Sequence, residues 1–515
     1  MLILAAITFL YVDPQLSNSS PSYDPVSRTC VAGTNTAFPN LAAACAAATP
    51  GATIFIRGAT YNEPLVPRKS GTPGNYITFK NYNSELVYLA FPGAHSPAID
   101  ISGCSYVIID GLRVEDKNTY WLMAEDSHFD IVQNCVFKHS PATGTRGNVE
   151  FVQSDHNSLL NNVIEDGQDN FTFIESDHNL AQGNTVTQAR HSIFGIRCGS
   201  YNMIRSNFFS NPGQKIGEIY DCGRDTHMVS NSFNSTAHNV IEDNIFALTS
   251  TWHTVAGGNG IQYAGQKGII RRNIFYDCNV GIGMQVYDDE ARYNTGNRIY
   301  NNDFYSNVGP GIATWPGAAN NIYLNNILFG NRGCIENCTV PTPGQIVYRA
   351  SMAGEDLFMN NDLFFQTLGQ PVMEEEFESG HSVAEFTDSF PGVLLNTHQD
   401  DPQFANAPGH DFHLQPTSPM IDTGAFLTAT TAAGNGTNVG VLDASYFQDG
   451  LGIPGMAGDE IQLGGQSQIA RITHVDYAGN ILTVDRPLRW QKGQPLSLPF
   501  SGRAPDIGAF EYPSN

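Results

Sequence analysis

Between residues 134 and 361 an asparagine followed by an apolar or aromatic stretch returns nine times: Asn134, Asn162, Asn184, Asn207, Asn244, Asn273, Asn302, Asn326 and Asn361. Six of them are preceded, five positions earlier, by a second asparagine: Asn157, Asn179, Asn202, Asn239, Asn297 and Asn321. Successive intervals are 28, 22, 23, 37, 29, 29, 24 and 35 residues. A period of roughly 20–30 residues made of short β-type segments predicts a solenoid, in which each coil buries its apolar face against its neighbours. The excess over the period reads as loops. Such loops on a rigid scaffold are where reactive side chains collect, so the 37-residue coil is the first place to look for chemistry.

The strand segments agree. VEFVQS, FTFIES, IFGIRC, GEIYDC, GIQYAG and GMQVYD recur about one coil apart with no helical patterns between them, which argues for stacked parallel coils and against a βαβ sheet. Asparagine tolerates left-handed turn geometry and its amide can bond its own stack, so these asparagines are expected in tight turns with a structural role. Residues 36–49, with Phe38, Leu41, Cys45 and Ala48 on one face, predict a short helix that caps the open end. Residues 426–440 read as a linker. The alternating segments after it predict a small antiparallel β unit. The expected division is a leader over 1–21, a β-helix with its cap over 22–425, and a linker with a C-terminal β module over 426–515.

The net charge of −24 argues against nucleic acid and anionic membranes as partners. An acidic polymer stays open, because salt screens a distant field and a local basic cluster then decides. The apolar opening Met1–Leu10 is too short to span a bilayer. It reads as a clipped signal-peptide core, with a buried strand as the alternative, and the protein as secreted or periplasmic, soluble and monomeric. Nine cysteines without paired metal spacing leave disulfides open for Cys30 with Cys45 and for Cys334 with Cys338.

The Asn-punctuated coils, the segment HLQPTSPMIDTG and the closing DIGAFEY resemble secreted right-handed parallel β-helix proteins. That group holds lyases, hydrolases, epimerases and binding proteins. Its nearest named comparison is with polysaccharide lyases of the alginate lyase and chondroitinase B type. The resemblance implies that their strand arginine falls on Arg197. Their lysine base falls on Glu175, which departs from the pattern. Their Ca²⁺-binding acidic pair falls near Gln168–Asn170, where Asp169 alone is acidic.

Aligning VQSDHN, IESDHN and IRCGSYN by eye stacks Gln153, Glu175, Arg197 and Asp221 in one column, expected to face solvent. Ser154, Ser176, Cys198 and Cys222 form the neighbouring column, expected inside, where the two thiols could pair. Glu175, Arg197 and Asp221 would then make a carboxylate–guanidinium ladder at the strand spacing of about 4.8 Å. An exposed ion-pair ladder with no further role accounts for it too. The chemical reading gains from polar groups gathered nearby. Arg190 and His191 precede the Arg197 strand, and Lys215, Glu218, Arg224, Asp225 and His227 lie on the long coil.

Two chemistries fit. A lyase needs a base and a cation that neutralises a uronate carboxylate, with Ca²⁺ as a further electrophile. Lys215, Arg197 and His191 are the candidates. A glycoside hydrolase needs two carboxyls; Glu175 and Asp221, two coils apart at roughly 9.6 Å, would suit an inverting enzyme. Arg190, Arg224, His227, Tyr263 and Tyr287 are candidate substrate contacts, with Trp252 and Trp315 as further aromatics for sugar stacking. His156, His178, His410 and His413 read as structural. The expectation is a lyase on a uronate-containing, acidic polysaccharide. The alternatives are a hydrolase using Glu175 and Asp221, or a carbohydrate-binding or adhesion protein without activity.

Overall fold

The computed structural model describes residues 8–513, except 32, 92–95, 116–119, 141–146, 212–214, 221–235, 248–257, 286–293, 316, 333–343, 349–355, 365–372 and 376–378. They fall into two compact units, one built mainly from the chain up to Gly199 together with Ser206–Asn211, the other from Ser200–Arg205 and the chain beyond.

Each unit is a right-handed parallel β-helix. In the first, strands Thr8–Val12, Ala52–Ile56, Ile77–Asn81, Val107–Asp110, Ile131–Gln133, Ser158–Leu160 and Leu180–Gln182 follow one another in a parallel ladder. A second face carries Gly147–Val152, Val163–Ile174 and Thr185–Arg197, also parallel. In the second unit, Met203–Arg205, Val240–Glu242, Ile269–Arg271, Arg298–Tyr300, Ile322–Leu324 and Leu357–Met359 repeat the pattern. Inside, like stacks on like: Phe171 on Phe194 with ring centres 5.7 Å apart, and Phe246, Phe275 and Phe304 at 4.5 and 4.8 Å.

The asparagines form ladders, and their geometry differs from expectation in one respect. Asn162 accepts from the Cys135 amide, Asn184 from the Asn162 amide and Asn207 from the Asn184 amide, each at 2.9 Å. In the second unit Asn273, Asn302, Asn326 and Asn361 accept in the same way from the amides of Asn244, Asn273, Asn302 and Asn326. These buried asparagines satisfy backbone N–H groups that the tight turn leaves without a strand partner. The left-handed residue is the one before: His156, Asn161, His178, Ser206, Asp243, Arg272, Asn301, Asn325 and Asn360 all have positive φ. Asn134 is therefore off the ladder. It is left-handed itself, bonds Asp110, and Cys135 stands at the ladder position.

The first helix is Leu41–Ala47, capped by Asn40, and residues 35–38 before it are a strand. Cys30 and Cys45 are both free thiols, so the disulfide expected between them is not formed. Residues 8–12 are a strand paired along its whole length with Ala52–Ile56.

Within the second unit, the six-stranded antiparallel sheet comprises Thr428–Ala429, Gly434–Gly440, Glu460–Leu463, Ile469–Asp476, Ile481–Trp490 and Pro495–Ser497. The stretch expected as a linker thus supplies two strands. This sheet is fastened to the coils by Arg271, whose guanidinium is buried between Glu242 (2.6 Å) and Asp459 (2.6 Å) and also donates to the Tyr300 hydroxyl. Arg298 reaches Asp443 at 2.8 Å. The two segments that carried the family resemblance lie together: Met420, Ile507 and Ala509 pack on Ile274, Ile327 and Phe404. Among the described residues no helix is long and apolar enough to cross a membrane.

Candidate active site

A one-residue irregularity organises the site in the first unit. Gly167 pairs with Ala189, but Asp169 pairs with Ser192, so Arg190 and His191 together oppose Gln168. Such a bulge re-aims the side chains around it. Its footing is held by two buried amides: Asn148 Oδ1 accepts from the Gln168 amide at 2.6 Å, and Asn170 Oδ1 from the Gly167 amide at 2.8 Å. A Cβ at Gly167 would come within 2.4 Å of both amide oxygens, so only glycine fits there.

The bulge brings four donors onto one carboxylate. Asp169 is fully buried. Its Oδ1 accepts from His191 Nδ1 at 2.7 Å, from the Ser192 amide at 3.0 Å and from the Ser192 hydroxyl at 2.8 Å. Its Oδ2 accepts from Arg197 at 3.0 Å. Burial alone would raise its pKa. The His191 hydrogen bond and the Arg197 charge outweigh burial and hold it below the usual carboxylate range. An ionised partner on Nδ1 fixes the imidazole tautomer and leaves Nε2 as the acceptor. The His191 side chain is 35% exposed, whereas that of Arg197 is 5% exposed.

This arrangement corrects the expected column. Arg197 pairs with Ile174, not Glu175. It is buried rather than solvent-facing. Gln153 and Glu175 do stack, with Gln153 Nε2 donating to Glu175 at 3.0 Å. The position after them in the series belongs to Cys198, since Gln153, Glu175 and Cys198 share the left-handed conformation. The extra residue of this coil sits upstream, in the bulge, instead of downstream of Arg197. The inner column is Ser127, Ser154 and Ser176, linked by amide-to-hydroxyl bonds of 3.0 and 2.9 Å. Cys198 is disulfide-bonded. Arg190 is partly exposed and donates to the Ser140 carbonyl (2.5 Å) and to Asp166 (3.3 Å).

The second unit holds a further polar chain. Lys215 Nζ donates to Glu218 and, at 3.2 Å, to Gln262 Oε1; Gln262 Nε2 donates to Gln285 Oε1 at 2.5 Å. Glu218 and Gln262 are paired neighbours on adjacent strands. Lys215 and Glu218 are buried. Tyr263, expected to meet substrate, is completely buried and has no face to offer a sugar. Asp221, Cys222, Arg224, Asp225, His227, Trp252, Tyr287, Cys334 and Cys338 lie outside the described residues. The four histidines expected to be structural are all in ring contacts: His156 lies between Phe129 (4.6 Å) and His178 (4.8 Å). His410 stacks on Tyr276 and His413 on Phe510.

The lyase resemblance brings Ca²⁺ with it, and the residues do not fit. The one acidic group at the corresponding place, Asp169, has both oxygens taken by protein donors. Among the described residues no three His, Cys, Asp or Glu groups converge to hold an ion.

Residues 148–339 match a family model described as a right-handed β-helix region. The uncharacterized protein YwoF of Bacillus subtilis (strain 168) is 25% identical over 425 residues, 74% of this chain and 87% of that one. Among solved structures, pectate lyase Pel9A has a TM-score of 0.44 at 13% identity, covering 98% of this chain and 97% of its own. A PL6 family polysaccharide lyase, Pedsa3628 from Pseudopedobacter saltans, has 0.44 at 14% identity (73% and 95%). A GH136 lacto-N-biosidase from Eubacterium ramulus has 0.44 at 10% identity (76% and 68%).

Proposed function

We propose that the protein is an exported carbohydrate-active enzyme, a polysaccharide lyase that cleaves a uronate-containing polymer by β-elimination. The observation that carries the reading is the Asp169–His191–Arg197 cluster, a buried carboxylate that orients a half-exposed imidazole beside a guanidinium. That is a base with positive charge at its back, in contrast to the two facing carboxyls of a hydrolase.

In the proposed step His191 Nε2 takes the proton from C5 of the uronate. The C4–O4 bond breaks with its electron pair leaving on the glycosidic oxygen, a C4–C5 double bond forms, and the leaving oxygen is protonated from solvent. Asp169 and Arg197 are positioning residues, because burial keeps both from the sugar. Arg190, next to His191 and partly exposed, is the first-unit cation suited to meet the substrate carboxylate. The disulfide at Cys198 supports export to an oxidising compartment.

The test is to incubate the full chain with alginate, polygalacturonate and glycosaminoglycans and to follow the ultraviolet absorbance of an unsaturated product. His191→Ala should lower that rate by about 10²–10⁴, the usual share of a general base. Release of reducing ends without the absorbance would replace the lyase by a hydrolase working through Glu175 and Asp221. Binding with neither signal would favour the non-enzymatic alternative.

A further inference from the structure

Three buried polar groups of the second unit stand in an order that the reaction above does not use. Lys215 and Glu218 lie on strand Lys215–Tyr220, and Gln262 lies on the neighbouring parallel strand Asn259–Tyr263 as the register partner of Glu218. Lys215 Nζ donates to the Glu218 carboxylate and, at 3.2 Å, to Gln262 Oε1. The carbonyl carbon of Gln262 is one bond of about 1.23 Å beyond that oxygen, which puts Nζ at most about 4.4 Å from it. An amine, a carboxamide carbon and a carboxylate that touches the amine are the parts of an amide exchange.

Two features turn this contact towards reaction. The first is enclosure. Lys215, Glu218 and Gln262 are each less than a tenth exposed, so little water competes with the amine for the carbonyl. The far side is closed too: a methyl group on Gly283, the register partner of Gln262 on the next strand, would already stand 3.0 Å from Asn259 Nδ2 and 3.2 Å from the Trp315 ring. A nucleophile held this close to its target gains an effective molarity on the order of 10⁵–10⁸ M. The second feature is charge. A buried ammonium–carboxylate pair carries a desolvation cost that its attraction offsets only in part, and a reaction that consumes both charges removes that cost. Gln262 Nε2 donates to Gln285 Oε1 at 2.5 Å, which holds the amide with its oxygen towards Lys215.

We infer that Lys215 and Gln262 become joined by an autocatalytic isopeptide bond, with Glu218 carrying the protons. A turn of the Gln262 amide about Cγ–Cδ presents the face of the carbonyl to Nζ. Glu218 takes one proton from Nζ, and the Nζ lone pair attacks Gln262 Cδ. A second Nζ proton passes through Glu218 to Nε2. The Cδ–Nε2 bond then breaks with its electron pair on nitrogen, and ammonia leaves. The products are a neutral secondary amide, ammonia and a protonated Glu218, so no further reactant is needed. The bond closes a ring over residues 215–262, which hold most of the 37-residue coil, by a link that reducing agents do not open. It is independent of the reaction at His191.

The test is mass spectrometry of the full chain, reduced and unfolded, and of its proteolytic peptides. The unmodified protein should be lighter than its sequence by one ammonia. The peptides holding Lys215 and Gln262 should appear as one branched species that carries the deficit. Lys215→Arg and Glu218→Gln should each show the full mass of their own sequences and give two separate peptides. A deficit of one water in place of ammonia would make Glu218 the acyl partner and overturn the link to Gln262. An undiminished branched peptide from Glu218→Gln would overturn it as well, since the carboxylate would then have no part. Separate Lys215 and Gln262 peptides from the folded, unmodified protein would overturn the inference with no variant required.

Discussion

Asp169 in the first unit and Asp303 in the second are both fully buried carboxyls on parallel strands, and they behave as opposites. Asp169 receives four donors, two of them cationic or able to become so, and its pKa is lowered. Asp303 receives one, the Ala509 amide at 3.1 Å, with its other oxygen buried and without a hydrogen bond. Desolvation then prevails and its pKa rises well above the ordinary value. Asp362, two strands along the same row, repeats the pattern with the Asp400 amide as its donor. Burial is common to all three. The number and charge of the donors decides the protonation state.

The comparison is broken most severely at Asp169. Asp169→Ala should lower stability by about 3–5 kcal/mol, the usual cost of removing one partner of a buried ion pair, and denaturant unfolding measures this. The milder Asp169→Asn should retain the fold yet lose the lyase rate, since the amide no longer fixes the imidazole tautomer. Next in size is Asn273→Ala. It leaves the buried Asn244 amide, now bonded at 3.0 Å, without an acceptor, for about 1–3 kcal/mol in the same unfolding experiment.

The pH dependence has opposite signs at the two aspartates. The folded pKa of Asp169 is lowered, so its contribution is present above the unfolded value of about 3.9 and is lost as the pH falls through the folded one. The folded pKa of Asp303 is raised, so its contribution is full below about pH 3.9 and declines as the pH rises towards the folded value. Asp303→Asn should therefore raise the melting temperature at pH 8 and leave it nearly unchanged at pH 4. A gain at pH 4 as large as at pH 8 would mean that shape, not charge, is limiting. The smallest effect is expected for His156→Ala, which removes a stacked ring from a turn and should leave any lyase rate within a few-fold of the unmodified protein.

The fold was legible because its signal is redundant. Many asparagines repeat one role, and one misread member, Asn134, does not disturb the period. Of the candidate site, two members and not the register were legible: His191 and Arg197 both bond Asp169. Arg197 and His191 are both in the cluster, but alignment from the strand put Arg197 beside Glu175. Counting back from the ladder asparagines would have corrected this: Arg197 stands five residues before Asn202, as Ile174 does before Asn179. Asp169 drew attention only as a remnant metal ligand, because nothing local in Gly-Gln-Asp-Asn announces four donors arriving from the next coil. Tyr263 failed for another reason. It alternates with Gln262 and so shares the inward face with Ile261, a phase that the reading by residue type alone passed over.

A stack of near-identical coils is close to a one-dimensional crystal, in which every position has a copy above and below. Such an array has no preferred place to do anything once. The extra residue at Arg190–His191 is a point defect in that lattice. It breaks the translational symmetry at that coil and so gives the coil an address of its own. Duplicating or deleting regular coils would change the length of the protein without moving or copying that address. Removing a single residue from the defect would restore the 22-residue period and erase it, with the lattice around it intact.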